Sequence, residues 1–184
     1  MRVIAGKARS LPLKTVEGLD TRPTTDRIKE TLFNMLQGDI AGSRFLDLYA
    51  GSGGIGIEAL SRGAREAVFV EHSKAACACI NDNLAFTHLS ESAAVMELDV
   101  LTAINKLKGK GVFDIIYMDA PYSCDLEQEV LLKLKDSDLV DEYTIIIIEE
   151  KKDEQLSYIE ECGFKAVKVK NYKTNKHIFL KLNK

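Results

Sequence analysis

The segment Asp119-Ala120-Pro121-Tyr122 places a carboxylate, a proline and an aromatic ring directly after an apolar run at residues 112–118. Such a run predicts a buried strand of a parallel sheet. Residues just past the carboxyl end of such a strand lie where open α/β sheets bind their ligands. This combination is suited to holding a flat molecule that carries an amino group, by its face and by its edge.

The chemistry that these four residues favour is transfer to an amine nitrogen. An exocyclic amino group on a base is a weak nucleophile because its lone pair is delocalised into the ring. The carboxylate of Asp119 and the carbonyl of Ala120 can accept its two N–H groups, which turns the lone pair toward a methyl donor. Pro121 holds Ala120 extended, and Tyr122 offers a stacking face worth on the order of 1–3 kcal/mol. We predict all four as catalytic residues.

A second signal lies earlier in the chain, where residues 51–56 match the pattern G-x-G-x-x-G. The pattern follows an apolar strand at 45–49 and opens a helix. Glu71 comes 20 residues after Gly51, at the end of the next apolar run. A carboxylate at that position can accept hydrogen bonds from both hydroxyls of a ribose. These features together predict a nucleoside site.

Asp47 indicates which nucleoside is bound. A carboxylate just below the loop disfavours the phosphate that a dinucleotide would place there and favours a cation. S-adenosylmethionine carries a sulfonium and an ammonium and no phosphate, so we predict it as the cofactor. Asp99 is placed to accept from an adenine amino group, and it can also cap the helix after it. The predicted cofactor-binding residues are Asn34, Asp47, Ala50, Gly51, Ser52, Gly53, Glu71, His72, Asp99, Val100 and Asp119.

Composition is that of an ordinary globular protein, with 46% hydrophobic and 29% charged residues among 184. The chain has no apolar run of membrane-spanning length and no apolar signal core at its start, so we expect no membrane partner and a cytoplasmic protein. The four cysteines match no zinc or CxxC spacing, which favours reduced thiols and no metal site.

Charge is distributed unevenly although the net charge is only −3. Residues 1–30 contain seven Lys or Arg against four acidic residues, and residues 163–184 contain seven lysines and no acid. A chain with basic ends and an acidic body can bind a polyanion on one side only. For the C-terminal lysines a second interpretation stays open, since lysines in a terminal hairpin also protect its edge.

The elements alternate along most of the chain. We predict strands at 45–49, 67–71, 94–98, 112–118 and 143–149, and helices at 54–62, 74–86, 100–108, 125–134 and 152–161. This alternation favours a parallel sheet covered on both faces. Before it, short strands are expected near 2–5 and 11–14, and a helix capped by Thr24 or Thr25 ends near residue 38. After it, residues 164–169 and 177–182 predict an antiparallel hairpin.

The motifs carry a resemblance to a known family. The glycine loop, Glu71, Asp99 and the Asp119 tetrapeptide resemble class I S-adenosylmethionine-dependent methyltransferases that modify amino nitrogens. The segments Arg2-Val3-Ile4-Ala5-Gly6-Lys7, Thr21-Arg22-Pro23-Thr24, Lys29-Glu30-Thr31-Leu32-Phe33-Asn34 and the strand-loop at 45–53 are similar to the RsmD family. That family methylates N2 of a guanine in bacterial 16S ribosomal RNA.

The resemblance implies a Rossmann-like, doubly wound, seven-stranded and mostly parallel sheet with a C-terminal antiparallel hairpin strand. It implies that residues 1–37 form an extension over the cofactor and RNA site. The chain shows no linker to a second large domain, so we expect a single domain over residues 1–184, which fits a monomer. The partner would be ribosomal RNA or the small-subunit particle. The expected RNA-binding residues are Arg2, Lys7, Arg9, Arg22, Thr24 and Arg27.

One position departs from the family pattern, because the family has proline where this chain has Ala120. The carbonyl acceptor remains and Pro121 still restrains the backbone. Ala120 loses the fixed φ angle, so the loop should be less preorganised. We expect the activity to be retained.

Other functions compete with this interpretation. A DNA amino-methyltransferase would use the same tetrapeptide, although 184 residues leave little room for a sequence-reading domain. A protein glutamine methyltransferase would have Asn at position 119. A nicotinamide-dependent oxidoreductase shares the glycine pattern but leaves Asp47 and Asp119 unexplained. A non-catalytic RNA-binding protein would treat Ala120 as a sign of lost chemistry.

Overall fold

The computed structural model describes residues 1–16, 25–120, 126–154 and 157–183. Within these ranges, helices and strands alternate from residue 26 to residue 161. The helices are α1 (Asp26–Met35), α2 (Gly54–Ser61), α3 (Lys74–Thr87), α4 (Val100–Leu107), α5 (Leu126–Lys135) and α6 (Tyr158–Glu161). The strands are β1 (Arg44–Asp47), β2 (Glu66–Glu71), β3 (Ala93–Glu97), β4 (Ile115–Met118), β5 (Ile145–Lys151), β6 (Phe164–Asn171) and β7 (Asn175–Leu182). A 3₁₀ turn, Ser90–Ser92, precedes β3.

The strands form one seven-stranded sheet in the order β3-β2-β1-β4-β5-β7-β6. The five strands from β3 to β5 run parallel to their neighbours. Strand β7 is antiparallel to both β5 and β6. This architecture confirms the doubly wound sheet with a C-terminal antiparallel hairpin. The direction of strand succession reverses between β1 and β4, and an open α/β sheet binds its ligand at such a switch point.

Both faces of the sheet are covered by helices, which explains why the central strands are apolar throughout. On one face, Phe45 of β1 packs in a cluster with Phe33 of α1 and Ile80 of α3. On the other face, Ile116 of β4 packs in a cluster with Ile104 of α4 and Val130 of α5.

The N-terminal segment is fastened to the first of these faces by a buried carboxylate. Glu58 of α2 accepts the backbone N–H groups of Ile4 at 2.7 Å and Ala5 at 3.0 Å. The fully buried Lys29 of α1 lies 3.6 Å from Glu58 and donates to the carbonyl of Arg2 at 2.6 Å. Burial lowers the pKa of Lys29, against the opposing effect of Glu58. The helix that follows the glycine loop is therefore tied to both α1 and the chain start.

Several predicted boundaries were wrong. Only an isolated bridge between Arg2 and Pro12 replaces the expected N-terminal strands. The helix expected at 152–161 covers Tyr158–Glu161, and residues 155–156 lie outside the described ranges. The strand expected to end at residue 149 continues to Lys151. The continuation has a physical cause: residues 149–151 pair with residues 175–177 of β7, so the hairpin extends both strands. Strand β4 begins at Ile115, not at residue 112.

In the described parts of the chain, no helix combines the length and apolar character needed to cross a membrane.

Gly56 is where α2 approaches the sheet most closely, and we expect Gly56→Ala to destabilise the protein. A Cβ at this position would lie closer than 3.0 Å to ring atoms of Phe69, a contact that requires the buried ring or the helix to move. The expected loss is about 1–3 kcal/mol in the free energy of unfolding, measured by urea denaturation. Gly38→Ala is the matched control, since its Cβ would meet nothing within 4 Å. Equal stability of the two variants would contradict the packing argument.

Candidate active site

The strand register brings four acidic residues to one edge of the sheet. Asp47 pairs with Phe69 of β2 and with Tyr117 of β4, so these side chains point to the same face. Glu71 and Asp119 lie two residues further along their chains and therefore belong to that same face. Glu149 is two residues beyond Ile147, the partner of Tyr117. These carboxylates lie at the carboxyl ends of parallel strands, near the switch point between β1 and β4.

Asp47 is buried at the end of β1, with only 1% of its surface exposed. Its Oδ2 accepts the N–H of Gly56 at 3.2 Å. Its Oδ1 has no hydrogen-bond partner among the described residues. Burial raises the pKa of Asp47 to about 7, the Gly56 hydrogen bond opposes that rise and the nearby Glu71 adds to it. A buried carboxylate with one unused oxygen is an acceptor that a cationic ligand would complete.

The glycine loop adopts a shape that needs glycine at two positions. Gly51 has φ +54° and Gly53, which precedes α2, has φ +82°, both in the left-handed region. A Cβ at Gly51 would meet nothing within 4 Å, whereas one at Gly53 would press on Ile57 and Ile80 at 3.2–3.3 Å. The loop therefore presents bare backbone to open space at Gly51, as close binding of a ligand requires.

Glu71 links the loop to β2. Its Oε2 accepts the N–H of Gly51 at 2.9 Å and its Oε1 accepts the N–H of Ser73 at 2.8 Å. The exposed His72 lies 3.2 Å from the same carboxylate. A carboxylate has about four lone-pair positions, so acceptor capacity remains for the two hydroxyls that the sequence predicted as its partners.

Asp119 follows β4 directly and is partly accessible. Burial raises its pKa well above the ordinary value, and the charges of Glu149, Asp47 and Glu150 raise it further. Ala120 is buried. Pro121 and Tyr122 lie outside the described residues.

The remaining predicted cofactor residues divide by accessibility. Asp99 is exposed and caps α4 by accepting the N–H of Thr102 at 2.9 Å, a hydrogen bond that lowers its pKa. Val100 and Ala50 are buried beside it and beside the glycine loop, respectively. Ser52 is partly buried, and Asn34 is exposed near the end of α1.

The predicted RNA-binding residues that the structure describes are all exposed: Arg2, Lys7, Arg9 and Arg27. Arg2 forms an ion pair with Asp26 at 3.2 Å. Thr25, not Thr24, caps α1 by accepting the N–H of Ile28 at 3.4 Å. Arg22 and Thr24 lie outside the described residues.

Sequence reasoning missed two buried polar side chains near the site. Asn83 of α3 donates to the carbonyls of Ser52 at 2.9 Å and Lys14 at 3.0 Å, joining the glycine loop to the N-terminal segment. His177 of β7 contacts Glu149 beside Asp119. In the sequence, Asn83 and His177 are polar residues within apolar segments. That pattern can suggest a buried polar side chain, but it does not identify the group that the side chain contacts.

Within the described ranges, no group of three or more His, Cys, Asp or Glu side chains is arranged to hold a metal ion.

The sheet order, the terminal antiparallel hairpin and the acidic edge around the glycine loop define the class I methyltransferase fold. The solved structure of yhhF from Escherichia coli superposes with a TM-score of 0.86 at 29% identity, covering 100% of this chain and 98% of that one.

The family described as conserved hypothetical protein 95 matches residues 1–181, and the chain belongs to this family, the RsmD family of the sequence resemblance. Ribosomal RNA small subunit methyltransferase D of Haemophilus influenzae is 36% identical over 159 residues, which are 85% of this chain and 81% of that protein. Its namesake from Escherichia coli K12 is also 36% identical, over 152 residues, covering 81% of this chain and 74% of that protein.

Asp47 should make the ligand-free protein less stable as pH rises. Its folded-state pKa of about 7 exceeds the ordinary 3.8, so the folded protein binds more protons between those pH values. Its contribution to stability is therefore lost as pH rises toward 7. We expect the stability advantage of Asp47→Asn over the wild type to grow by about 1–3 kcal/mol between pH 5 and pH 8, measured by urea unfolding. An unchanged pH slope in the variant would contradict this assignment.

Proposed function

We propose that this protein uses S-adenosylmethionine to methylate the exocyclic N2 amine of a guanine in small-subunit ribosomal RNA. The observation that carries the proposal is the strand register at the switch point of the sheet, where Asp47 pairs with Tyr117, two residues before Asp119. It places a candidate amine-binding carboxylate next to a candidate cation-binding one. Family membership and the two relatives named ribosomal RNA small subunit methyltransferase D support the ribosomal RNA substrate.

The residues present fit S-adenosylmethionine. The unused Oδ1 of Asp47 would accept from its ammonium group, and the open backbone at Gly51 would lie against its body. Glu71 would accept from the ribose hydroxyls with the lone pairs that the loop leaves free. Asp99 and the buried Val100 would hold the adenine, with His72 and Asn34 near the opening. When bound, the cofactor supplies an electrophilic methyl group.

Asp119 and Ala120 would hold the target base. The carboxylate of Asp119 and the carbonyl of Ala120 accept the two N–H groups of the amine, which aligns its lone pair for in-line attack. Most of the acceleration would come from this positioning. In the ligand-free protein, burial raises the pKa of Asp119. A cation in the adjacent space favours the ionised carboxylate, which is the better acceptor.

Exposed basic residues would bring the RNA to this edge. The N-terminal segment contains Arg2, Lys7 and Arg9. Glu58 of α2, the helix that follows the glycine loop, binds this segment through the N–H groups of Ile4 and Ala5. Contacts of Lys and Arg with phosphates supply affinity without sequence reading. Action as a single methyltransferase domain, as a monomer, in the cytoplasm, is part of the proposal.

In the direct test, the purified protein is incubated with small-subunit RNA from cells that lack this protein. We expect methyl transfer from labelled S-adenosylmethionine to one guanine, located by primer extension and mass spectrometry. Naked RNA, the small-subunit particle and duplex DNA are compared in parallel, and RNA from cells that contain the protein is the control. Transfer to DNA alone, or none to any substrate despite cofactor binding, would refute the proposal.

Asp119→Asn should separate chemistry from cofactor binding. The amide offers one weaker acceptor and cannot take up a proton, so we expect kcat to fall by at least about 100-fold. Affinity for S-adenosylhomocysteine, measured by calorimetry, should change less than about threefold. Asp47→Asn is the comparison, and it should lose most of that affinity. Full activity of Asp119→Asn would remove Asp119 from the reaction.

Reversing charge on the N-terminal segment should weaken RNA binding alone. We expect the double variant Lys7→Glu, Arg9→Glu to raise KM for RNA at least about tenfold at low salt and to leave S-adenosylhomocysteine affinity unchanged. Lys106→Glu and Lys108→Glu, at the end of α4 on the opposite face, form the matched control. An equal effect in both double variants would point to overall charge as the cause.

A further inference from the structure

A buried polar network lies beside the candidate active site and has no role in the function proposed so far. Glu149, near the end of β5, is its centre. Its Oε2 accepts the hydroxyl of Tyr117 at 2.8 Å and Nε2 of His177 at 3.0 Å, and its Oε1 accepts the side-chain amide of Asn175. The hydroxyl of Tyr172 lies 3.0 Å from Nδ1 of His177.

The network occupies strand positions next to Asp119. Met118 and Ile148 are paired neighbours in β4 and β5, so Asp119 and Glu149 are the next residues along adjacent strands. His177 pairs with Glu149 from the other side. Glu149 is the largest charge influence on Asp119, ahead of Asp47 and Glu150. The network therefore lies on the strand next to Asp119, at the same level of the sheet.

Three donors hold Glu149 as an anion in spite of its burial. Burial alone would raise its pKa, but the hydrogen bonds from His177, Tyr117 and Asn175 and the His177 charge outweigh it, so the pKa is lowered. Such an arrangement fixes a negative charge inside the protein. Its neighbour Asp119 has no comparable set of donors among the described residues and carries the raised pKa of the pair.

Other charged or titratable groups also face this region. Asp47, at the end of β1, lies on the same face as Glu149. Glu150 follows Glu149 in β5 and therefore lies on the opposite face. Tyr172 lies at the hairpin turn, and its pKa is raised to about 12 by burial and by Glu149. Lys170 of β6 pairs with His177 but is exposed. Of these groups, Glu149 is the anion on the face and strand position nearest Asp119.

We propose that Glu149, held in place by Tyr117, Asn175 and His177 on the strand next to Asp119, is a positioning residue for Asp119, which accepts the proton released by the methylated amine. This inference rests on the proposed function. A bystander role in stability would hold the hairpin in place but would not change how Asp119 titrates.

The proton transfer balances without a further reactant. As the new N–C bond forms, the S–C bond of the donor breaks and its electron pair stays on sulfur. The nitrogen becomes positively charged and transfers one N–H proton to the carboxylate of Asp119. The products are a neutral secondary amine, a neutral thioether and a neutral Asp119, which later returns the proton to solvent.

The decisive test needs no substrate and can fail independently of the proposed function. Carboxyl carbons of aspartate are labelled with ¹³C in the ligand-free protein, and the Asp119 signal is assigned by its absence in Asp119→Asn. We expect Glu149→Gln to shift the Asp119 titration midpoint down by at least about one pH unit. Glu149→Asp, which retains the charge, should stay within about half a pH unit of the wild type.

Glu150→Gln is the matched control, because it replaces the adjacent carboxyl group, which lies on the opposite face and interacts with Glu127. Its shift should be in the same direction and less than half as large. If Glu149→Gln does not fold, Tyr117→Phe, which removes one donor to Glu149 at nearly constant volume, should change the Asp119 midpoint. An unchanged midpoint in every folded Glu149 or Tyr117 variant would overturn the proposal.

Kinetics then tests the consequence for catalysis. In the wild type, activity should rise with pH as Asp119 ionises. Glu149→Gln should move this acid limb to lower pH and reduce kcat at high pH about tenfold or more, with KM for RNA changed less than twofold. A loss that is independent of pH, or one confined to KM, would indicate a structural role and contradict the inference.

Discussion

The site depends on several carboxyl groups that are buried or partly buried at one edge of the sheet. Asp47, Asp119 and Glu149 lie where parallel strands end. Burial raises the pKa of Asp47 and of Asp119, and the charges of Glu149 and Asp47 raise that of Asp119 further. Glu149 accepts hydrogen bonds from three donors of the protein, which lower its pKa. In the proposed function, a cationic cofactor and an amine would supply the partners of Asp47 and Asp119.

Holding those carboxylates requires a rigid frame, and the backbone supplies most of it. Parallel pairing of β1 with β2 and β4 fixes which side chains share a face. Close packing of Gly56 on Phe69 seats α2 against the sheet. Glu58 and Lys29 then attach the chain start to that helix. The segment proposed to meet RNA is thus mechanically joined to the element that shapes the glycine loop.

The sequence predicted correctly those elements that depend on residues close together in the chain. The apolar runs and the glycine pattern predicted the parallel strands, and the short gap between the last two strands predicted the hairpin. Prediction failed where tertiary pairing decides. Lys151 looked like part of a linker to a helix, yet its pairing with Asn175 extends β5. Nothing near His177 in sequence indicates Glu149 as its partner, 28 residues away.

The sequence by itself determined the order of elements, the identity of the glycine turn and the residue types available for cofactor and amine. These depend on φ angles, periodicity and side-chain chemistry, which are properties of short segments. Only the tertiary structure decided which of these carboxyl groups has a lowered pKa and which has a raised one. That difference arises from burial and from donors on β4, β5 and β7, and the strand order alone brings those donors together.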